Sequence, residues 1–282
     1  MKKGLILEGG AMRGLFSCGV CDAMMESGIE FDGAVGVSAG AAFGCNYKSR
    51  QAGRALRYNT AYCNDKRFCS LYSLIKTGDM FGADFCYREI PFELDIFDTA
   101  AFCENPMEFY TVATNALTGE AYYNKCYDGL GDDLLHIRAS ASMPLVSRPV
   151  EIQGIPYLDG GIADSIPIRF FESIGYERNV IVLTQPKGFI KEKNSALPLM
   201  RLALRKYPKI VEAMSRRHEI YNETIEYIEK RETEGAVLVI RPEEKLPVGR
   251  IEHDPEKLRE VHALGKALAE RKMKEIRDFL AR

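Results

Sequence analysis

One segment near the start of the chain, Phe31-Asp32-Gly33-Ala34-Val35-Gly36-Val37-Ser38-Ala39-Gly40, indicates its architecture most directly. The apolar first half predicts a buried β-strand, and the small residues after it predict a helix over residues 39–50. A Gly-x-Ser-x-Gly pattern between strand and helix is typical of a nucleophile elbow, a sharp turn that exposes a serine hydroxyl. The segment therefore predicts Ser38 as a nucleophile, with Gly36 and Gly40 permitting close backbone approach.

A second glycine-rich turn follows the first predicted strand, Gly4–Leu7, and precedes a predicted helix over residues 14–27. Consecutive small residues let backbone N–H groups point at one spot, and a helix N-terminus adds partial positive charge. In a parallel sheet both turns lie at the carboxyl edge, so this loop and Ser38 are expected to meet. The residues expected to hold an oxyanion or bind substrate are Gly9, Gly10, Ala11, Arg13 and Gly14.

A dinucleotide-binding turn is the rival interpretation of this loop. It requires glycine where Ala11 stands, and an acid at the end of the second strand. Asp32 instead precedes that strand. We therefore expect no nucleotide. The net charge of −2, from 38 basic and 40 acidic residues, gives no indication of a nucleic-acid partner.

The order of predicted elements favours a single α/β domain with a mainly parallel sheet between helical layers. We expect one domain over residues 1–282, with a motif-bearing part over about 4–185 and a charged, helical C-terminal part over about 186–282. A helix is predicted over residues 132–142 with Asp132 as its N-cap. Further strands are predicted at residues 109–113, 120–123, 179–184 and 236–240, and a hairpin at 150–158 that turns at Gln153-Gly154.

Cysteine usage and the lengths of apolar runs limit the class of protein. All eight cysteines lie within the first 126 residues, and the chain has neither a signal-like start nor an apolar run that could span a bilayer. We therefore expect structural free thiols and a cytoplasmic location. The lone Cys18-Gly19-Val20-Cys21 has no second pair and no nearby histidine, so we expect no metal.

Two kinds of base would suit Ser38. In an α/β-hydrolase a histidine follows the acid in chain order, and three do so here, His218, His253 and His262. The many charged residues next to them in sequence are typical of solvated surface histidines. Asp159 ends a predicted strand, and Gly160 and Gly161 leave its carboxylate accessible, although Asp-Gly is also an ordinary turn. These residues favour Asp159 and leave the triad open.

Together the motifs resemble the patatin-like phospholipase family, and the charged C-terminal part is similar to that of bacterial members. The resemblance rests on the segments 9–14, 36–40, 139–144 and 159–161, in the family's order. It implies a dyad in which Ser38 attacks an acyl carbonyl, while Asp159 takes its proton and later activates water. The backbone of residues 9–11 would hold the oxyanion. Arg13 would orient the loop or a phosphate, or be a surface charge or loop brace. Two departures are Glu8, where Asp is commoner, and Ala11, where a third Gly is commoner.

The resemblance implies a serine lipid acyl hydrolase that cleaves carboxylic esters of (phospho)lipids through an acyl-enzyme, with no cofactor. The alternatives are a soluble carboxylesterase or thioesterase with the same dyad, and a non-catalytic lipid-binding protein. The basic, partly apolar segment 187–217 would either contact an anionic membrane surface peripherally or pack as a core helix with a solvated basic face. Six aromatic residues would either line an acyl pocket or fill the core: Phe81, Phe85, Tyr87, Phe92, Phe97 and Phe102.

Overall fold

A mixed sheet of eight strands runs through the protein in the computed structural model, which describes residues 1–281. Arg282, the last residue of the expected C-terminal part, lies outside the described residues. The strands are β1 (Lys2–Leu7), β2 (Gly33–Val37), β3 (Glu108–Asn115), β4 (Ala121–Cys126), β5 (Val150–Ile152), β6 (Ile155–Asp159), β7 (Tyr176–Val182) and β8 (Val237–Ile240).

The ten α-helices of the described residues are α1 (Gly14–Glu26), α2 (Ala39–Lys48), α3 (Arg54–Tyr62), α4 (Leu71–Thr77), α5 (Thr99–Glu104), α6 (Gly131–Ser140), α7 (Ile168–Ser173), α8 (Leu197–Ala203), α9 (Pro208–Thr233) and α10 (Pro255–Ala281). Of two short 3₁₀ turns, Ala11–Arg13 lies between β1 and α1, and Gly160–Ile162 follows β6 directly. A π-helix, Phe85–Leu94, lies between α4 and α5. Among the described residues, no helix has the length and apolar character needed to cross a membrane.

The strand order is β5-β6-β3-β2-β1-β7-β8, with β4 also paired to β3. The pairs from β3 through β8 along this order are parallel, whereas β4, β5 and β6 add antiparallel pairs. Side chains alternate across β1, so that Leu5 and Leu7 join one core cluster and Ile6 joins the opposite one. The expected α/β class, with a mainly parallel sheet flanked by helices, is confirmed.

Helix α10 packs directly on α1. A Cβ added at Gly19 would lie 2.0 Å from the carbonyl oxygen of His262, and one at Gly265 would lie 2.0 Å from that of Phe16. The two backbones therefore touch where they cross. His262 Nε2 lies 2.7 Å from Asp22 Oδ2 in the same interface. The expectation that His262 is solvated was wrong, because its charged neighbours in sequence lie on the other side of an amphipathic helix.

Two predictions of local structure had different outcomes. The hairpin turns at Gln153 and Gly154, both with positive φ, as a two-residue hairpin loop favours. The predicted N-cap at Asp132 was wrong, since α6 begins at Gly131 with no side-chain cap. Asp133 accepts the backbone N–H groups of the preceding loop instead, at 2.6 Å from Tyr127 N and 3.0 Å from Asp128 N.

Candidate active site

Ser38 occupies the turn between β2 and α2 with φ +56° and ψ −120°. A residue with a Cβ rarely adopts this conformation, which costs about 1–3 kcal/mol and persists only when its surroundings hold it. Its carbonyl accepts the N–H groups of Ala41 and Ala42 at 3.0 Å, which begins α2. Its own N–H donates to Ser140 Oγ at 2.9 Å. The turn is thus held from both sides, with the serine half-buried.

Close backbone approach explains the two glycines that flank this turn. A Cβ at Gly40 would lie 2.3 Å from the carbonyl oxygen of Leu7, and one at Gly36 would lie 2.2 Å from that of Gly40. Real Cβ atoms do not come this close to backbone, so a side chain at either position would displace β1 or α2. The glycines therefore set the position of Ser38 against the end of β1.

The loop after β1 lies against the serine, as expected from the parallel order of the strands. A Cβ at Gly9 would be 2.8 Å from Ser38 Cβ. Within residues 1–281, the N–H groups of Gly9 and Gly10 donate to no other group. Ala11 adopts φ +50°, a left-handed conformation that glycine accepts more easily, and Gly14 is the first residue of α1. Gly9, beside Ser38, and Gly10 therefore each keep a free N–H group among the described residues, and such backbone donors are what an oxyanion needs.

Asp159 ends β6 and is almost completely buried. Its Oδ1 accepts the Gly161 N–H at 2.7 Å, and a Cβ at Gly160 would be 2.1 Å from the Val112 carbonyl oxygen. Among the described residues, Oδ2 has no hydrogen-bond partner of regular geometry. Burial raises the pKa of this carboxyl, and the Ser38 hydroxyl and the Arg217 charge oppose the rise. A carboxylate with raised basicity and one free oxygen is suited to accept a proton from a nearby hydroxyl.

The histidines lie in other contacts. His253 Nδ1 is 2.6 Å from the Cys63 carbonyl oxygen, His262 pairs with Asp22, and His218 Nε2 is 3.8 Å from Glu219. In the described part of the chain, no histidine is hydrogen-bonded to Ser38 or Asp159. The geometry therefore favours Asp159 over a histidine as the base.

A cavity of about 390 Å³ opens beside Ser38, a size typical of small-molecule sites. Its wall is mainly apolar. Phe81, Tyr87, Phe92 and Phe97 line it, and Ile90 and Pro91 of the π-helix lie between them. Phe85 and Phe102 are buried in the core and do not line the cavity. The six aromatic residues thus divide between the two expected roles.

Sequence reasoning missed the roles of several residues at the site. Glu8, noted there only as a departure from the family pattern, is buried, and its carboxylate accepts hydrogen bonds from Thr184 N at 2.6 Å and from Tyr221 Oη at 2.9 Å. Arg217 Nε donates to the carbonyl of Gly161, which follows the candidate base. Arg217 and Tyr221 lie on α9, in a charged stretch without a motif. No local signal could have marked them, because their contacts join residues far apart in sequence.

No group of three or more His, Cys, Asp or Glu side chains within residues 1–281 is arranged to hold a metal ion. The eight cysteines are free thiols, and Cys18 and Cys21 lie on a buried part of α1.

The family model for patatin-like phospholipase matches residues 5–171, and a model for a domain of unknown function (DUF6363) matches residues 207–281. The chain belongs to the patatin-like phospholipase family. This membership confirms the expected family and supports the expected class of enzyme, a hydrolase of lipid esters. The second model carries no assigned role.

The individual relatives match this chain at about 30% identity. The uncharacterized protein YjjU of Escherichia coli is 31% identical over 191 residues, which cover 64% of this chain and 52% of YjjU. The lysophospholipase nte1 of Aspergillus niger is 29% identical over 181 residues, 61% of this chain and 11% of that protein. The chain thus spans about half of the first relative and a small part of the second. The crystal structure of VipD from Legionella pneumophila superposes with a TM-score of 0.48 and 13% identity, over 97% of this chain and 67% of that one.

Proposed function

We propose that this protein is a serine lipid acyl hydrolase that cleaves carboxylic ester bonds of (phospho)lipids. One observation carries the proposal. A strained serine lies beside Gly9, in a loop with two backbone N–H groups free among the described residues, and its hydroxyl acts on a buried carboxylate, Asp159, at an apolar cavity. The family and its lysophospholipase relatives support the same reaction class.

In the proposed reaction, Ser38 Oγ attacks the ester carbonyl as its proton passes to Asp159. The N–H groups of Gly9 and Gly10, with Ala11 beside them, stabilise the oxyanion. Collapse of the tetrahedral intermediate breaks the ester bond, and the leaving alcohol takes the proton from Asp159. Water then attacks the acyl-enzyme with Asp159 as base and returns Ser38 to its free form. The acyl chain lies in the apolar cavity.

We also propose that the protein meets its substrate at a membrane surface. Helix α8 buries Leu197 and Met200 against α9 but leaves Leu199 and Leu202 exposed, at 57% and 63%. Arg201 and Arg205 are exposed close to these leucines. One face of α8 packs in the core while the other presents apolar and basic side chains, which supports membrane contact by the exposed face of the segment 187–217.

A fluorophosphonate probe tests the nucleophile. We expect intact-mass analysis to find one adduct on the wild type and none on Ser38→Ala. Ser147→Ala, which removes another serine of the same cavity, should label normally. The protein that reacts with the probe is then assayed on phospholipid vesicles and on soluble short-chain esters. Faster hydrolysis of the vesicles indicates a lipid hydrolase, and faster hydrolysis of the short esters indicates a soluble esterase. Absence of any adduct on folded wild type would reject the proposed enzyme and favour a lipid-binding protein.

A further inference from the structure

Four cationic side chains near the candidate oxyanion loop have no ion-pair partner among the described residues and act on one another electrostatically. Arg13 follows the loop directly, Lys191 lies after β7, Arg217 lies on α9, and Arg250 precedes α10. Among residues 1–281, none of the four has a carboxylate oxygen within 4.0 Å. Arg13 and Arg217 differ from the exposed arginines that also lack an ion pair, such as Arg201, Arg205 and Arg216, because they are partly buried.

Two of these residues are attached to the loops that frame Ser38. Arg217 Nε donates to the Gly161 carbonyl, and its Nη2 lies 3.2 Å from the point that a Cβ on Gly161 would occupy. Asp159 Oδ1 lies 3.0 Å from that same point. On the other side, the Arg250 carbonyl accepts the Met12 N–H at 3.4 Å, and Arg250 lines the apolar cavity with Ser38.

The remaining two complete the group. Lys191 Nζ stands 4.0 Å from the ring centroid of Tyr221, whose hydroxyl donates to Glu8. Arg13 Nε is buried and has no hydrogen-bond partner in the described part of the chain. Arg13 thus has unused donor capacity in the turn that follows the candidate oxyanion loop, with Glu8, Arg217 and Arg250 as electrostatic neighbours.

The acids nearby do not balance this charge. Glu8 and Asp159 act electrostatically on the group, which leaves more positive than negative charge. Burial, together with the charges of Arg217, Arg13 and Arg250, lowers the pKa of Lys191 to about 8, although Glu8 opposes the change. Burial likewise lowers the pKa of Arg217, as does its neighbour Arg250. Partly desolvated cations without counterions are unfavourable, and an anionic ligand would relieve that cost.

We propose that Arg13, Lys191, Arg217 and Arg250 form a subsite for a phosphate group beside Ser38. The inference rests on the proposed function, because it places the phosphate of a lipid headgroup here while the acyl chain fills the cavity. Arginine donors match phosphate oxygens in pairs, and a lysine adds a compact charge. Two members, Arg217 and Arg250, belong to the region 207–281, for which this gives a role in substrate selection.

The test compares lysophosphatidate with the monoacylglycerol that carries the same acyl chain. We expect the ratio of kcat/KM, anionic over neutral, to fall about tenfold in Arg250→Gln, as loss of one charge-assisted contact implies. Lys191→Gln should lower the same ratio. Arg216→Gln removes an exposed arginine next to Arg217 and should keep the wild-type ratio. An unchanged ratio in both Arg250→Gln and Lys191→Gln overturns the subsite.

A binding measurement on Ser38→Ala decides the question without turnover. Calorimetric titration with lysophosphatidate and with inorganic phosphate should detect binding that weakens in the Ser38→Ala/Arg250→Gln double variant. Tighter binding of the lipid identifies a headgroup subsite, and equal affinities identify a site for free phosphate. If neither ligand binds, the inference is rejected. If both bind but the wild type hydrolyses no ester, the subsite stands and the proposed hydrolase fails.

Discussion

The backbone N–H of Ser38 is hydrogen-bonded to the side chain of Ser140 at 2.9 Å. Ser140 ends α6 and is fully buried. The bond joins the strained turn to a helix more than 100 residues further along the chain. Because Ser38 has positive φ, the turn needs such external support, and Ser140 is a positioning residue for the nucleophile.

Ser140→Ala should therefore lower kcat about fivefold with a smaller change in KM, since one buried hydrogen bond contributes about 1 kcal/mol. Steady-state kinetics checks this, and Ser140→Thr should recover part of the loss. Ser142→Ala is the matched control, because that buried hydroxyl bonds only to the Arg138 carbonyl, at 2.8 Å. Equal effects of the two alanine variants would show that Ser140 has no special role.

Asp159→Asn should remove activity and stabilise the fold. We expect kcat to fall by at least about a hundredfold, the range for loss of a general base. Burial raises the pKa of Asp159, so the folded state binds its proton more tightly than the unfolded state. The ionised carboxyl therefore costs stability at neutral pH, and that cost declines as the pH falls through the raised pKa and is gone below the unfolded value of 3.8. Removing the charge should raise Tm.

Kinetics and thermal unfolding measure the two effects. Asp164→Asn provides the comparison, because Asp164 also has a pKa raised by burial but bonds to Tyr123 at 2.8 Å, away from Ser38. It should retain turnover. Full activity in Asp159→Asn would contradict the dyad.

The pH profile should report the same carboxyl. The base must be ionised, so kcat/KM should fall on the acid side through a pKa above the usual 3.8 of aspartate. Arg250 lowers the pKa of Asp159, and its removal in Arg250→Gln should shift the acid limb to higher pH. Arg216→Gln should leave the limb in place. An acid limb below 3.8 in the wild type would count against Asp159.

Membrane contact through α8 predicts a loss of vesicle binding in Leu199→Ser/Leu202→Ser. Each leucine that leaves the lipid costs about 1.5–3 kcal/mol, so co-sedimentation with anionic vesicles should weaken at least about tenfold. Leu264→Ser is the control, since Leu264 is 47% exposed on α10, outside the segment 187–217. Turnover of a soluble ester should be similar in all three proteins. Unaltered vesicle binding would assign α8 a packing role alone.

Much of the sheet could be predicted because its signals are local. The strand that leads to Ser38 and the hairpin at Gln153 depend on apolar runs and turn residues that lie within a few positions of each other. The parallel order then placed the loop after β1 beside Ser38, as expected. The sequence also identified Asp159 as a candidate base, because a strand end followed by two glycines is a local pattern.

The misses share one physical cause, which is dependence on distant partners. Asp132 is a residue type that commonly caps helices. The helix begins at Gly131, however, and the neighbouring Asp133 accepts backbone N–H groups of the loop before α6. His262 has charged neighbours in sequence, which predicted a solvated side chain, yet it pairs with Asp22 on α1. Arg217 supports Gly161 across 56 positions, and no spacing rule anticipates such a contact.

The crossing of α1 and α10 carries a consequence for how this sequence can change. The two family models match separate parts of the chain, residues 5–171 and 207–281. Gly19 and Gly265 nevertheless place the backbones of these two parts in contact. A methyl group gained at either position would force the helices apart and open the core beneath them. A larger residue at one of these two positions is therefore expected to be tolerated only together with a compensating change on the other helix. Recombination between relatives that exchanges residues 207–281 should yield folded chimeras only when the incoming helix is equally small at the crossing.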